Sequence, residues 1–536
     1  MTHSQGAEVL HPGAAGTYGP AGRRTRAGHG HPWLTLVAVA LGVMMVGLDA
    51  TVVSIANPAI AKDLGADLSG LQWVTNAYLL TLAVTLIPAG KIADRFGRRR
   101  TFLAGVIGFA IASVLIGLSG GLGMVIFWRV VQGFAGALLQ PASLAILRNT
   151  FPVDKLNAAI GIWGATVGIS IAGGPIVAGL LVENVNWESV FFLNAPLGAL
   201  ALAVGLWVIR ESKDESAGGS FDLPGVALLT GALFALVWGL IKAGEHGFGA
   251  AVPLVSFAAA AVLFAAFVAV ESRTRDPLLP LALFRSVPLS AATGLIVLGF
   301  FAMFGTIFFI TLYLQQVHGM SPVDAGVRML PMTGVFIVAS PVAGALTSRF
   351  GPRLPLALGM AFTSAAMFGL SRIGVDAPYV QLWPWFVLVG LAFGLVIVAG
   401  TEAIVGNAPA HLAGVAGGLQ QTASQVGGVL GTSVLGVLMS TKVGNVLVER
   451  LTGAGVPGPA AEALSGQDGL VSQGVAPVPP GTPASAARAI TEGSHQAFMD
   501  GFQSALTVAG AVALVAILAA LLVRRGETPV EGAAVA

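Results

Sequence analysis

Apolar residues in this chain gather into long runs, parted by short stretches where Gly, Pro and charged residues collect. A bilayer core is roughly 30 Å thick, so a helix needs about 20 apolar residues to cross it. On that ruler fourteen runs qualify: 34–57, 71–90, 102–118, 122–148, 157–182, 189–209, 223–242, 251–271, 289–315, 324–347, 354–372, 382–405, 412–440 and 501–523. The fifth contains many glycines, which are unfavourable inside a helix. Ahead of them, residues 1–32 carry Pro12, Pro20 and Pro32 and no helical period, which reads as a disordered tail. The first run is too long for a signal-peptide core and lacks a cleavage pattern, so it is expected to stay as a helix.

Composition narrows the class. Of 536 residues, 10% are charged and 55% hydrophobic, and the mean hydropathy is +0.84. Soluble domains carry about 25% charged residues, so a water-soluble enzyme and a disordered chain are both excluded. The expected fold is an all-α polytopic membrane protein. A net charge of +2 offers no field for nucleic acid. The absence of cysteine removes disulfides, thiolate metal sites and thiol catalysis. Seventy-two glycines without a collagen period suit helices packed closely through small residues. No glycine loop followed by Lys-Ser/Thr is present to hold ATP. The GHGHP fragment at 28–32 is too sparse to assign a metal. No Ser/His, paired-Asp or metal-ligand set falls at one depth, so an intramembrane hydrolase is not expected.

Loop charge sets orientation. With the N-terminus inside, nineteen Lys/Arg fall on the cytoplasmic side and seven outside, which predicts an even span count with both termini cytoplasmic. Residues 90–99 (GKIADRFGRR) and 344–353 (GALTSRFGPR) share Gly, Arg, Phe, Gly and Arg at matching places. Each joins the second and third runs of a six-run block if runs seven and eight are an insert. The predicted architecture is therefore 14 transmembrane helices arranged as 6 + 2 + 6. Its expected parts are a cytoplasmic tail 1–32, a six-helix bundle 33–210, an inserted pair with flanking loops 211–285, a second bundle 286–523 and a tail 524–536. The second bundle includes an external Gly/Pro/Ala/Ser-rich loop, 441–500, read as a mobile cap with room for a short helix near 484–498. Duplicated halves of this kind place a binding site near mid-membrane at their interface.

Polar residues that interrupt the runs point to chemistry. Asp49 stands in the first run, where a carboxylate costs roughly 2.5–3.5 kcal/mol to insert, so it should face a cavity or a partner. Asp49 lies about 17–22 Å from the inner boundary and Arg129, in the fourth run, roughly 20 Å, so the two can be level. Two readings follow: a proton carrier that loads in apolar surroundings and unloads beside Arg129, or a static buried ion pair. Pro175 in the fifth run should bend its helix and leave a carbonyl unpaired. Trp73, Asn76, Tyr78, Gln140, Gln420, Gln421 and Gln425 are candidates for a cavity wall suited to amphipathic ligands, or for helix–helix hydrogen bonds. Glu402, near the inner end of the twelfth run, either reaches the interface or receives a cation or second proton.

Several segments then agree. GKIADRFGRRR at 90–100, LDATVVSIANP at 48–58 and RVVQGFAGALLQP at 129–141 resemble motifs of the major facilitator superfamily, and within it the 14-span drug:proton antiporters. So does the fifth run, with Gly161, Ser170, Gly174, Pro175, Ala178 and Gly179, although Ser170 and Ala178 stand where glycine is usual. LQWVTNAYLLTLA at 71–83, NWESVFFLNAPLG at 186–198 and GGLQQTASQVGGVLG at 417–431 are also similar to this group, with Glu188 replacing a usual basic residue and Ser54 and Asn57 departing from the first-helix pattern. In the loop motif Gly90 and Gly97 permit a tight reversal and Arg95 and Arg98 stay at the inner surface. The resemblance implies that Asp94 latches this loop to a helix end of the other half in the outward-facing state. Ser348 replaces that acid in the second copy. It also implies that the fifth-run motif belongs to exporters. The expected function is proton-coupled antiport of amphipathic drugs or antibiotics out of a bacterial cytoplasmic membrane, conferring resistance. Export of one endogenous metabolite, siderophore or lipid precursor is the alternative. No cofactor is expected beyond the proton gradient. The expected partners are substrate, protons and lipid, with no obligate protein.

Overall fold

The computed structural model describes residues 31–213, 222–274, 277–409 and 412–524, and these hold helices and turns with no strand. Fourteen long helices follow the fourteen apolar runs. The first six are α1 (Pro32–Leu64), α2 (Leu68–Phe96), α3 (Arg98–Gly117), α4 (Leu122–Thr150), α5 (Val153–Asn184) and α6 (Asn194–Val208). A pair follows, α7 (Leu223–His246) and α8 (Ala251–Glu271). The last six are α9 (Val287–Leu312, running on into a π-helical turn at Tyr313–Val317), α10 (Leu330–Phe350), α11 (Arg353–Leu370), α12 (Tyr379–Gly406), α13 (Ala413–Gly453) and α14 (Ala484–Ala520). Among the described residues thirteen spans are long and apolar enough to cross a membrane, and α5 makes a fourteenth when its two pieces, bent by 41°, are taken as one span. The chain is a multi-pass membrane protein.

Several helices run past their apolar cores into polar flanks, and some of these stop at a glycine. α1 ends at Gly65 (φ +64°), α2 at Gly97 (φ +111°) and α10 at Gly351 (φ +78°). Gly97 and Gly351 occupy the same place in the two copies of the basic turn, and each donates its N–H to the carbonyl four residues back. A left-handed backbone is what a glycine supplies there without strain. Sequence repetition at these turns is thus repetition of geometry.

The helix packing repeats as well. α1 packs on α4, α5 and α6; α2 on α4; α3 on α4 and α6. The same relations recur eight helices later: α9 packs on α12, α13 and α14; α10 on α12; α11 on α12 and α14. The two sets meet where α2 lies on α13 and where α5 lies on α10 and the short helix Pro322–Arg328 before it. α7 and α8 pack mainly on each other, and α7 also lies against α2 and α13. Val252, Leu254, Val255, Val262 and Phe264 of α8 face outward, as lipid contact requires.

One expectation needs correction. The segment 441–500 is not one long loop: α13 continues to Gly453, α14 begins at Ala484, and 484–498 is the first part of α14. Arg450 clasps Asp500 with two hydrogen bonds of 2.6 and 2.9 Å, fastening the two extensions together. The remaining 454–483 packs down rather than trailing, since Val456, Ala461, Val471, Ser472 and Gln473 are buried. We call the end of the bundle that carries this segment the cap end, and the opposite end, holding residues 31 and 524, the tail end. The expected tails 1–32 and 524–536 lie outside the described residues except at positions 31, 32 and 524.

Candidate functional site

Midway along α1, Asp49 is 1% exposed. Arg129 of α4, equally buried, donates from Nη1 to Asp49 Oδ2 at 2.6 Å. The guanidinium also donates from Nε to the Val74 carbonyl of α2 at 2.9 Å, and it lies 4.2 Å from the centre of the Tyr78 ring. Gln132, one turn beyond Arg129, accepts from Arg129 Nη1 at 2.6 Å and donates to Asp49 Oδ1 at 3.0 Å. The Gln132 amide also donates to Ser113 of α3, which accepts from Asn194 of α6 as well. One charged pair is therefore saturated by groups from five helices of the first six, with water excluded. Apolar walls make such bonds strong and their loss costly.

The sequence singled out Asp49 and Arg129 as a level pair, and the structure brings them together. It missed Gln132, Ser113 and Asn194. Gln132 was within reach of sequence reasoning, because i,i+3 spacing from Arg129 puts both on one helix face. Ser113 and Asn194 carry no such signal, since only the tertiary packing of α3 and α6 aims them at Gln132.

The fifth helix behaves as its glycines and proline dictate. Pro175 removes a backbone donor, and the carbonyl it frees, Ile171, accepts from the Thr51 hydroxyl at 3.3 Å. A β-carbon on Gly174 would strike Thr51, and one on Gly47 would sit 2.8 Å from Ser170 Cβ. Ser170 and Ala178 are buried at 2% and 0%, so small residues do keep α1 and α5 in close contact there. On the other side, a β-carbon on Gly179 would lie 2.7 Å from the backbone of Pro322 and Val323. The surroundings of Gly161 lie outside the described residues. At the cap end the halves are also joined by Gln315 Nε2 to the Ile55 carbonyl (3.0 Å) and by Val323 N to Glu183 (3.2 Å).

The loop motif is held within its own half. Asp94 accepts from Arg98 Nε and Nη2 at 3.0 and 2.8 Å, so the latch to the other half is not made through this pair. Glu211, after α6, accepts the backbone N–H groups of Arg99 and Arg100 and so caps α3. Lys91 Nζ reaches the Pro277 carbonyl beyond the inserted pair.

Three of the expected cavity residues are engaged elsewhere. Tyr78 is sealed against Arg129 and Phe109. Asn76 bonds across the α2–α13 seam to Ser433 (2.9 Å) and Thr432 (2.6 Å), beside Gln72 on the Thr432 carbonyl. Trp73 packs on Phe234 and Trp238 of α7. Helix–helix contact, the alternative reading, describes these three. Gln420 donates to Ser424 one turn on, while Gln140, Gln421 and Gln425 are half-buried. Glu402 is exposed near the end of α12, apart from the Asp49 group. A further wall went unnoticed in the sequence: Phe304, Phe300, Phe393 and Phe336 touch in succession across α9, α12 and α10, with centroids 4.9–5.9 Å apart. Apolar residues inside apolar runs give no signal of their own.

Comparison with known proteins bears on all of this. A sequence profile described as Major Facilitator Superfamily matches residues 39–432. The chain belongs to the Major Facilitator Superfamily. Its members are generally membrane carriers of small molecules. Within the superfamily the chain is 52% identical over 527 residues to the tetracenomycin C resistance and export protein of Streptomyces glaucescens, covering 98% of this chain and 96% of that one. It is 35% identical over 432 residues to the multidrug resistance protein Stp of Mycobacterium tuberculosis, covering 80% and 79%. The fold matches a bacterial homolog of the human lysosomal transporter Spinster with a TM-score of 0.57 at 19% identity, over 91% of this chain and 98% of that one.

Proposed function

We propose that this carrier exports an amphipathic, drug-like or antibiotic small molecule across the bacterial cytoplasmic membrane in exchange for protons, and so confers resistance. The observation that carries the coupling is Asp49, an acid buried within α1 whose partners, Arg129 and Gln132, come from a different helix. Similarity over nearly the whole chain to a protein named for antibiotic resistance and export supports the cargo class. Drive comes from the proton gradient, each charge gaining about 2.3 kcal/mol per 100 mV, with no cofactor, nucleic acid or obligate protein partner. Membrane lipid surrounds the spans.

The repeated helix packing supports a 6 + 2 + 6 arrangement, with bundles at 33–210 and 286–523 and the inserted pair within 211–285. With both termini cytoplasmic, the cap end faces outward. The cap-end contacts of Gly179, Gln315 and Glu183 then describe a carrier closed to the outside, and Asp94 is free of the other half because its latch belongs to the opposite state. Gly174, Pro175 and Gly179 let α5 rock against α1 and α10. Gln140, Gln421, Gln425 and the phenylalanine wall would meet the cargo, and Glu402 would serve a second cation.

The test is proton movement in everted vesicles or proteoliposomes, challenged with a panel of amphipathic antibiotics and dyes. Wild type is compared with Asp49→Asn and Arg129→Ala, each first checked for insertion. Substrate-dependent proton release that disappears in Asp49→Asn is the expected result. Unchanged antiport in that variant would remove Asp49 as the carrier, and no response to any compound would overturn drug export in favour of a narrow metabolite exporter.

A further inference from the structure

The inserted pair α7–α8 closes at the tail end on two buried acids that the transport reading does not use. Asp222, the residue before α7, is 7% exposed, and Glu271, the last of α8, is 3% exposed. Asp222 Oδ1 accepts from Gly225 N at 2.8 Å and its Oδ2 from Leu278 N at 3.4 Å. Glu271 Oε2 accepts from Leu279 N at 3.2 Å, while Oε1 is buried with no hydrogen-bond partner among the described residues. A β-carbon on Gly225 would strike both Asp222 Oδ2 and Glu271 Oε1, so the two acids converge on one point over the first turn of α7.

The nearest charged groups along the chain and on the helix that touches the linker are on α2 and just past α8. Lys91 Nζ donates to the Pro277 carbonyl, Asp94 is paired with Arg98, Arg95 lies over Phe96, and Arg273 is exposed. Positions 275 and 276 lie outside the described residues. An ionised carboxylate can only accept hydrogen bonds. An orphaned carboxyl oxygen aimed at a second carboxylate is therefore satisfied by a proton held between them, and two like charges buried side by side repel.

We propose that Asp222 and Glu271 together bind one proton, forming a proton site in the inserted pair that is separate from Asp49. With the proton bound, the acids close on each other and hold Leu278 and Leu279, which fixes the start of the linker leading to α9. When the proton leaves, repulsion drives Glu271 away and frees the Leu279 N–H. Because Lys91 grips the same linker at Pro277, the change reaches the basic turn after α2. The site would sense pH on the tail-end side of the membrane. It stands independently of whether transport itself is proton-coupled.

The chain has no cysteine, so a single nitroxide on Ala282→Cys, an exposed position in that linker, reports cleanly. The full-length protein is placed in phosphatidylglycerol/phosphatidylethanolamine nanodiscs and its spectrum followed from about pH 5 to about pH 9. The linker should pass from immobile to mobile as pH rises. Glu271→Gln, whose amide can donate where the proton sat, should stay immobile throughout; Asp222→Asn, whose amide nitrogen cannot accept from Leu278 N, should lose the transition as well. Asp49→Asn should keep the transition at the same pH, which separates this site from the transport acid. A wild-type background without a transition, a transition that survives in both pair variants, or one that is lost in Asp49→Asn overturns the proposal.

Discussion

Remove the charge from one side of the Asp49–Arg129 pair and the other is left buried without a counter-charge. Asp49→Leu leaves Arg129 with the Val74 carbonyl, the Gln132 oxygen and the Tyr78 face, none of which carries a compensating charge. Arg129→Met leaves Asp49 with one donor, Gln132. Breaking a buried pair from one side costs about 3–5 kcal/mol, so the two single changes would sum to about 6–10 kcal/mol if they acted independently. The double variant removes both charges and fills the space with apolar groups, which by itself is close to neutral. What it still loses is the donor to Val74 and both the Arg129 and the Asp49 partners of Gln132, about 1 kcal/mol each. The expected loss in the double variant is therefore about 3 kcal/mol, no more than either single change and well under their sum. Unfolding in mixed micelles by SDS titration, followed through the nine tryptophans, measures all three against wild type. Additive losses would refute the reasoning, because they would mean that neither residue depends on the other's charge.

Two further outcomes follow from the cap end. Gly179→Leu puts side-chain atoms where the Pro322–Val323 backbone already lies at 2.7 Å, and backbone cannot turn aside; spin labels on Val185→Cys and Val327→Cys, both exposed, should move apart relative to the unsubstituted chain, and an unchanged distance would count against closure through this contact. Burial lowers the His318 imidazole below its ordinary 6.5, against the pull of the Val375 carbonyl and Asp376. A base whose native value is lowered binds its proton more readily when unfolded, so its stabilising contribution is whole above about pH 6.5 and is lost as pH falls below that. His318, whose Nε2 lies 2.8 Å from the Tyr313 hydroxyl, has Asp376, His495 and Arg328 as its titratable neighbours. Thermal unfolding at pH 7.5 and 5.5 should therefore show a larger acid-induced drop in wild type than in His318→Gln, and equal drops would exclude the histidine as the cause.

Much of this molecule is written in its one-dimensional pattern. Fourteen apolar runs became fourteen helices because a bilayer leaves the backbone no way to satisfy its polar groups except within each segment. Gly97 and Gly351 were legible as matching turns, and Asp49 and Arg129 as a pair, because a charge in hydrocarbon is too costly to be there without a partner. Pro175 announced its bend for a similar reason: a missing N–H is a local property of one residue.

What the pattern could not supply was everything that depends on which helix faces which. Thr51 as the partner of the Ile171 carbonyl, Ser113 and Asn194 as supports of Gln132, and the phenylalanine wall from three helices all arise from packing between segments far apart in the chain. The extensions of α13 and α14 beyond their apolar cores were hidden because polar, Gly/Pro-containing sequence reads as loop until Arg450 and Asp500 are seen to clasp. Tyr78, Asn76 and Trp73 were recognisable as unusual residues in apolar helices, but hydropathy records only that a residue is polar or aromatic, and never the direction in which its side chain points. Tertiary structure decides that direction, and with it whether such a residue meets a ligand, a neighbouring helix or a buried charge.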